Sequence, residues 1–220
     1  MVKGKALGGS PCEEKPRCRS LPCKTVKDKY LLVGADTAGF PIKEAVVAHL
    51  KAQGWTIEDI GVTDYERDKD DLNLMFHRVG LRVGAKIASG EYERAMVFCG
   101  TGMGIHIAAS KCPHVHAGVV ESPQAAERAA KGNGVNVLAM GAFFVTTHMA
   151  CVIADAYLNS WLGKGYEWWH NFYEFHKLAI DEMEAFDYDE YMKTGKLPHL
   201  GDYPLSQAGN VPGKAVGKKD

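Results

Sequence analysis

One stretch concentrates side chains able to do chemistry: Cys99-Gly-Thr-Gly-Met-Gly104. A thiol can act as a base or a nucleophile, and the Thr101 hydroxyl can donate to an oxyanion. The glycines Gly100, Gly102 and Gly104 alternate with larger residues, can take φ > 0 and expose backbone N–H groups to a ligand. The preceding Ala95-Met-Val-Phe98 reads as a buried strand and the segment from Gly104 as a helix. The loop therefore leads into a helix N-terminus, whose unpaired N–H groups and positive dipole end suit a phosphate or an oxyanion. Cys99 lies at the carboxyl end of its strand, where open parallel sheets place their ligands. N–H groups around such a thiol favour thiolate character. On these residues alone a second reading stands beside the first, because most free cysteines are small buried hydrophobes. The loop lacks both the Walker lysine and the G-x-G-x-x-G spacing. A second candidate is Asp36, a carboxylate closing the apolar run Tyr30-Leu-Leu-Val-Gly-Ala35 and followed by Thr37-Ala-Gly-Phe40.

The flanking pattern supplies the elements that must hold these groups. Helical spacing of Ile42, Val46, Val47 and Leu50 follows the first strand and closes at Gly54. Trp55 to Ile60 reads as a second strand, Gly61 to Asp71 as a solvated polar loop, and Leu72 to Ala88 as a helix on Leu72, Met75, Val79, Val83 and Ile87. After the glycine loop comes a short helix to Lys111, then a strand from His114 to Val120. Ser122-Pro123 opens a well-capped helix that ends at Lys131-Gly-Asn-Gly134. Val135 to Met140 is a fifth strand, and Met149, Val152, Ile153, Ala156 and Tyr157 mark one face of the next helix. Strands alternating with helices predict an α/β protein: a doubly wound, five-stranded parallel sheet in three α/β/α layers. The expected organisation is a disordered leader over 1–28, the α/β domain over 29–163, a C-terminal helical extension over 164–199 and a loose tail over 200–220. The extension rests on Trp168, Phe172, Phe175, Ala179, Met183 and Phe186, an apolar stripe suited to packing on the domain or on a second subunit.

Composition narrows the function. The 220 residues carry 26 Lys and Arg against 27 Asp and Glu, a net charge of -1, with no basic stripe for nucleic acid. No apolar run approaches the ~18 residues of a membrane span, and no apolar segment near the N-terminus reads as a secretory signal. Six scattered cysteines suit a reducing cytoplasm. Cys12, Cys18 and Cys23 lack a fourth ligand and match no common zinc spacing.

Three motifs together resemble one family. Gly34-Ala-Asp36-Thr-Ala-Gly-Phe40-Pro-Ile-Lys43 is similar to its G-x-D-H-A-G-F-x-x-K opening. Cys99-Gly-Thr-Gly-Met-Gly104 with Ile107-Ala-Ala-Ser-Lys111 is similar to its C-G-T-G-x-G…I-A-A-N-K signature. Asn133-Gly-Val-Asn-Val-Leu-Ala-Met-Gly141 is similar to its N-D-x-N-V-L-x-x-G stretch. The family is that of ribose-5-phosphate isomerase B and galactose-6-phosphate isomerase, and the match covers about residues 30 to 162. The resemblance implies aldose–ketose isomerisation through an enediolate, without metal or cofactor, in a homodimer or tetramer whose sites are built from two subunits. Cys99 would be the base, since Ile105 occupies the position at which some members carry a glutamate. Thr101 with the N–H groups of Gly100, Gly102 and Gly104 would hold the oxyanion, and Asp36 would bind hydroxyls or move protons between oxygens. Thr37, Asn133, Trp169 and His170 complete the expected substrate contacts.

The departures shape the substrate. Thr37 stands where the family has histidine. Gly132 replaces the histidine that opens the sugar ring, and Gly134 replaces the aspartate of the Asn-Asp pair. Tyr166-Glu-Trp-Trp-His170 keeps a histidine and loses the phosphate-binding arginine, a bidentate clamp. His106, His170 and Lys164 are the candidate replacements. Two substrates fit: a short open-chain sugar phosphate that needs no ring opening, or an unphosphorylated sugar stacked on Trp168 or Trp169. The competing function is a catalytically idle carbohydrate-binding or regulatory relative. A dinucleotide-binding domain fits less well, because the first strand ends without that fingerprint.

Overall fold

The computed structural model describes residues 23–169 and 171–202, in two compact units that divide between Trp161 and Leu162. In the first unit, β1 (Tyr30–Ala35), β3 (Ala95–Cys99) and β5 (Val137–Gly141) are apolar runs buried along nearly their whole length. Runs of that kind suit the centre of a sheet covered on both faces. The shorter, partly exposed β2 (Thr56–Asp59) and β4 (Ala117–Val119) form its edges. The order is β2-β1-β3-β5-β4 and every pairing is parallel.

Because side chains alternate along a strand, each strand feeds both faces. Leu31, Val33, Ala35, Met96, Phe98, Leu138 and Met140 pack beneath α1 (Phe40–Ala52), α5 (Pro123–Asn133) and α6 (Thr147–Leu158). Leu32, Ala95, Val97, Cys99, Val137 and Ala139 pack beneath α3 (Phe76–Ala88) and α4 (Met103–Ala109). This is the expected doubly wound, three-layer architecture.

The local differences have physical causes. The polar stretch after β2 contains α2 (Tyr65–Asp68), started by Asp64, whose carboxylate accepts the Arg67 N–H at 3.1 Å. The helix expected from Leu72 begins at Phe76. Leu72–Leu74 is instead a 3₁₀ turn capped by Asp71, and Met75 has extended backbone that separates the two. In α6 the buried face is Ala150, Ile153, Ala154, Tyr157 and Leu158, while Met149 and Val152 are exposed. That helix is apolar nearly all round, so spacing alone does not select its inner face.

The expected leader is corrected over residues 24–28, which are tied to the sheet. The Lys24 N–H donates to Glu91 O at 2.8 Å, the Glu93 N–H to Lys24 O at 3.0 Å, and the Val26 N–H to Glu93 Oε2 at 2.9 Å. Lys24 Nζ donates to Tyr92 Oη at 2.7 Å and to Glu58 at 3.2 Å. The Tyr92 hydroxyl, with Lys86 and Lys24, holds the Glu58 carboxyl down to about 2. Cys99, Cys112 and Cys151 carry free thiols, and Cys23 is disulfide-bonded. The rest of the expected leader (1–22) and most of the expected tail (203–220) lie outside the described residues.

The second unit holds α7 (Phe172–Ala185) and α8 (Tyr188–Thr194). The single helix expected across Trp168 to Phe186 starts later, because Asn171 takes a left-handed conformation with φ of 72°. Phe172 is buried and stacks on Tyr166 and His176, each at 4.0 Å between centroids, whereas Met183 and Phe186 at the far end of the stripe are exposed.

One buried charge fastens β2 to α1. Lys43 is fully buried, and its ammonium donates to Asp59, Glu44 and, at 2.7 Å, Val62 O. Lys43→Met leaves these acceptors unpaired and is expected to cost about 3–5 kcal/mol of unfolding free energy. A loss below ~1 kcal/mol in urea denaturation would contradict that account.

Candidate active site

The sheet order reverses direction at β1, which pairs with β2 on one side and β3 on the other. Open α/β sheets bind ligands outside the carboxyl ends of the strands at such a reversal. Asp36 follows β1 and Cys99 ends β3. The register pairs Ala35 with Phe98, and the Asp36 N–H continues the ladder to Phe98 O at 3.3 Å. Asp36 and Cys99 are therefore neighbours across adjacent strands, which lie about 4.8 Å apart. Cys99 projects toward the α3–α4 layer, where it packs with Val97 and Leu32, while the Asp36 carboxylate accepts from the turn that opens α1.

The turn after Asp36 is drawn in tightly. The Gly39 N–H donates to Asp36 Oδ1 at 2.8 Å. A Cβ on Gly39 would lie 2.3 Å from the Phe98 carbonyl carbon and 2.7 Å from Cys99 N, so only glycine lets α1 start against the end of β3. Burial pushes the Asp36 carboxyl up, opposed by the N–H groups of Gly39 and Ala38. Thr37 is half-buried beside it.

Beyond β3, the Gly102 N–H donates to Cys99 Sγ at 3.1 Å. This bond fixes the nearly buried sulfur and puts a donor against any negative charge it carries. Thr101 Oγ1 accepts the Met103 N–H at 3.2 Å, which leaves its own proton for an oxygen of a ligand. The expectation that all three loop glycines serve positive φ is corrected: of them only Gly102 does, at 76°. Gly100 and Gly104 answer a different demand, for a Cβ on either would lie 2.6 Å from a phenyl ring, that of Phe143 and Phe76 respectively. The Phe143 N–H donates to Gly100 O, and the Ala142 N–H to Cys99 O, both at 2.9 Å. Neither phenylalanine was singled out from the sequence. Extending the alternation of β5 past Gly141 would have pointed to Phe143.

The other expected residues divide. Asn133 is the exposed last residue of α5, ahead of β5. Since Cys99 pairs with Gly141 at the far end of β5, Asn133 lies at the amino end of the sheet, and one chain does not bring it to Cys99. Asn136 pins that end instead: its Oδ1 accepts the His116 N–H and its Nδ2 donates to His114 O, both at 2.9 Å. Trp169 belongs to the aromatic cluster of the second unit, 4.9 Å from Phe172 and 6.0 Å from His176 between centroids. His170 lies outside the described residues. Among the described residues, no three His, Cys, Asp or Glu side chains come together as a metal-binding group, and no helix is long and apolar enough to cross a membrane.

Comparison with known proteins places this geometry in company. Residues 31–168 match the family model described as Ribose/Galactose Isomerase. The chain is 36% identical over 163 residues to a 4-deoxy-4-sulfo-D-erythrose isomerase from Clostridium sp. (strain MSTE9), covering 74% of this chain and 98% of that protein. It is 35% identical over 139 residues to ribose-5-phosphate isomerase B of Escherichia coli (strain K12), covering 63% and 87%. Among solved structures it resembles ribose-5-phosphate isomerase B of Clostridium thermocellum, with a TM-score of 0.60 and 28% identity over 76% of this chain and 99% of that one.

The environment of Asp36 makes a prediction with a definite sign. A carboxyl raised by burial is penalised when charged, so the native state is destabilised as pH rises through the raised value. The penalty is absent below the unfolded value of about 3.9. Asp36→Asn keeps an acceptor for the Gly39 N–H without the charge. At pH 7 it should melt above the wild type, with the gap narrowing toward pH 4. A lower melting temperature at pH 7 would refute this electrostatic reading.

Proposed function

The chain belongs to the ribose/galactose isomerase family, and from that premise we propose that it interconverts the aldose and ketose forms of a four-carbon sugar carrying a terminal anionic group. The observation that carries this reading is the adjacency of Asp36 and Cys99 at the carboxyl ends of β1 and β3, at the reversal point of the sheet. Cys99, as thiolate, takes the proton from the carbon next to the aldehyde. The electrons pass into an enediolate, and the same thiol returns the proton to the former carbonyl carbon. The Thr101 hydroxyl and the N–H groups of Gly100 and Gly104 meet the oxyanion, while the Gly102 N–H steadies the sulfur. Preorganised donors of this kind supply the largest share of rate enhancement in many enzymes. Asp36, whose carboxyl burial pushes up, moves hydrogen between the two substrate oxygens, with Thr37 beside it. No step calls for a metal or a cofactor.

The replacement of the ring-opening histidine by Gly132 supports the short substrate. A four-carbon aldose substituted at its fourth carbon has no hydroxyl there to close a five-membered ring, so it stays open and needs no such acid. The similarity to an isomerase of a sulfonated erythrose points the same way. A terminal phosphate or sulfonate presents the same tetrahedral anion to the site.

A complete site on this reading takes two chains, since Asn133 lies at the amino end of its own sheet and would serve the Cys99 of a second copy. A homodimer in the cytoplasm is the proposed working form. Exposed Met103 and Ile107 on α4 offer apolar surface for its interface.

Incubation with four- and five-carbon aldose phosphates in deuterated water, with chelator present, should give ketose product with deuterium on carbon. Its absence with these sugars, with their unphosphorylated forms and with 4-deoxy-4-sulfo-D-erythrose would leave only the carbohydrate-binding alternative. Cys99→Ser should lower kcat by about 10²–10⁴ with KM little changed, because serine is a far poorer base. A variant within a few-fold of wild type would remove Cys99 from the mechanism. Mixing inactive Cys99→Ser and Asn133→Ala chains should restore activity if sites are shared, and no restoration would argue for sites within one chain.

A further inference from the structure

We infer that Phe76 and Phe143 are the two side walls of the site and set its limit on substrate length. Gly100 and Gly104 bracket the Thr101–Met103 turn, and one ring lies over each, 2.6 Å from where a Cβ would stand. One ring therefore meets each end of the chemical loop, Phe76 from the start of α3 and Phe143 from the turn after β5.

Both rings stand at the carboxyl edge of the sheet, where Cys99 ends β3 and Asp36 follows β1. Along β5, Val137 and Ala139 pack in the α3–α4 core. Gly141 continues that parity, since a Cβ there would lie 2.5 Å from the Thr101 carbonyl carbon, and Phe143 follows with its ring on Gly100. Phe76 is the first residue of α3, three residues before Val79, whose side chain packs in the same core as Cys99. Neither ring is core filler. Phe143 is 71% exposed and Phe76 38%, yet the backbone of Phe143 is held by its N–H bond to Gly100 O.

A phenyl wall accepts the C–H edge of a sugar and offers nothing to its hydroxyls. A four-carbon chain reaches Cys99, Thr101 and Asp36 with its reacting end and needs little width between the rings. A fifth carbon with its hydroxyl, or a closed ring, must press polar groups against one wall without a hydrogen bond. One extra carbon against a fitted apolar surface is typically worth about 10–200-fold in kcat/KM, enough to set substrate preference.

The substrate part of this inference rests on the isomerase reading, so the test has two arms. In the first, kcat/KM for D-erythrose 4-phosphate and D-ribose 5-phosphate is compared between wild type, Phe143→Ala and Phe76→Ala. Each variant should shift the ratio toward the five-carbon sugar by about tenfold or more. In the second, alkylation of Cys99 by iodoacetamide and by the bulkier N-ethylmaleimide is followed by peptide mass mapping, which separates it from Cys112 and Cys151. Removing either ring should narrow the preference for the smaller reagent several-fold, whether or not a sugar is turned over. Melting temperatures identify any variant that has lost its fold, and Phe→Leu at the same position then takes its place. Turnover of neither sugar by the wild type, with the alkylation shift present, would defeat the isomerase reading and keep the walls. Unchanged substrate and alkylation ratios, or variants that alter only the oligomeric state, would overturn the inference.

Discussion

Everything chemical in this molecule depends on the parallel register between β1 and β3. Pairing Ala35 with Phe98 brings the residue that follows each, Asp36 and Cys99, to the same level at the carboxyl edge. A one-residue slip would turn one of the two side chains to the opposite layer, because side chains alternate with a period of two. Register here decides whether the chain holds a site at all. It is protected by apolar packing on both faces, since Leu31, Leu32, Val33, Met96, Val97 and Phe98 are all fully buried.

Close backbone approach is the second constraint. Gly39 lets α1 begin against the end of β3, Gly61 lets the chain after β2 lie on Ala35, and Gly141 lets the end of β5 lie under Thr101. In each case a Cβ would come within 2.5 Å of backbone. Glycine is used at these points for contact between chain segments, and positive φ accounts for Gly102 in the loop. The result is a carboxyl edge in which three strand ends and a helix start brace one another. The proposed base and proton carrier, which must meet the same two carbons, benefit from such preorganisation.

Buried polar groups tie the periphery to this centre. Lys43 joins α1 to the end of β2. Arg94 donates to Tyr157 O at 2.9 Å, and the Tyr157 hydroxyl donates to Val135 O at 3.0 Å, so the last turn of α6 is tied to the amino ends of β3 and β5. Burial raises the Tyr157 hydroxyl and keeps it neutral. Together with Asn136 these groups stiffen the amino edge, which leaves the opposite edge to carry the chemistry.

By itself the sequence determined the class of fold and named the candidate chemical groups. Those signals are local: apolar runs of strand length, helical spacing between them, a Ser-Pro helix start, and a thiol and hydroxyl set among glycines. Only the tertiary structure decided which groups meet. It paired Asp36 with Cys99, because strand order and register are not written in the periodicity of any one segment. It separated Asn133 from them, because a residue before a parallel strand lies at the opposite edge from a residue after one. It also gave Gly100 and Gly104 their reason, two phenyl rings that approach from distant parts of the chain, where sequence reasoning had offered only backbone freedom. Local periodicity misled where both sides of a helix are apolar, as in α6, and where Leu72 and Met75 matched helical spacing without being helical. The physical reason is common to all these cases: secondary structure responds to neighbours a few residues away, whereas a site is made by contacts between segments brought together through burial of a shared core.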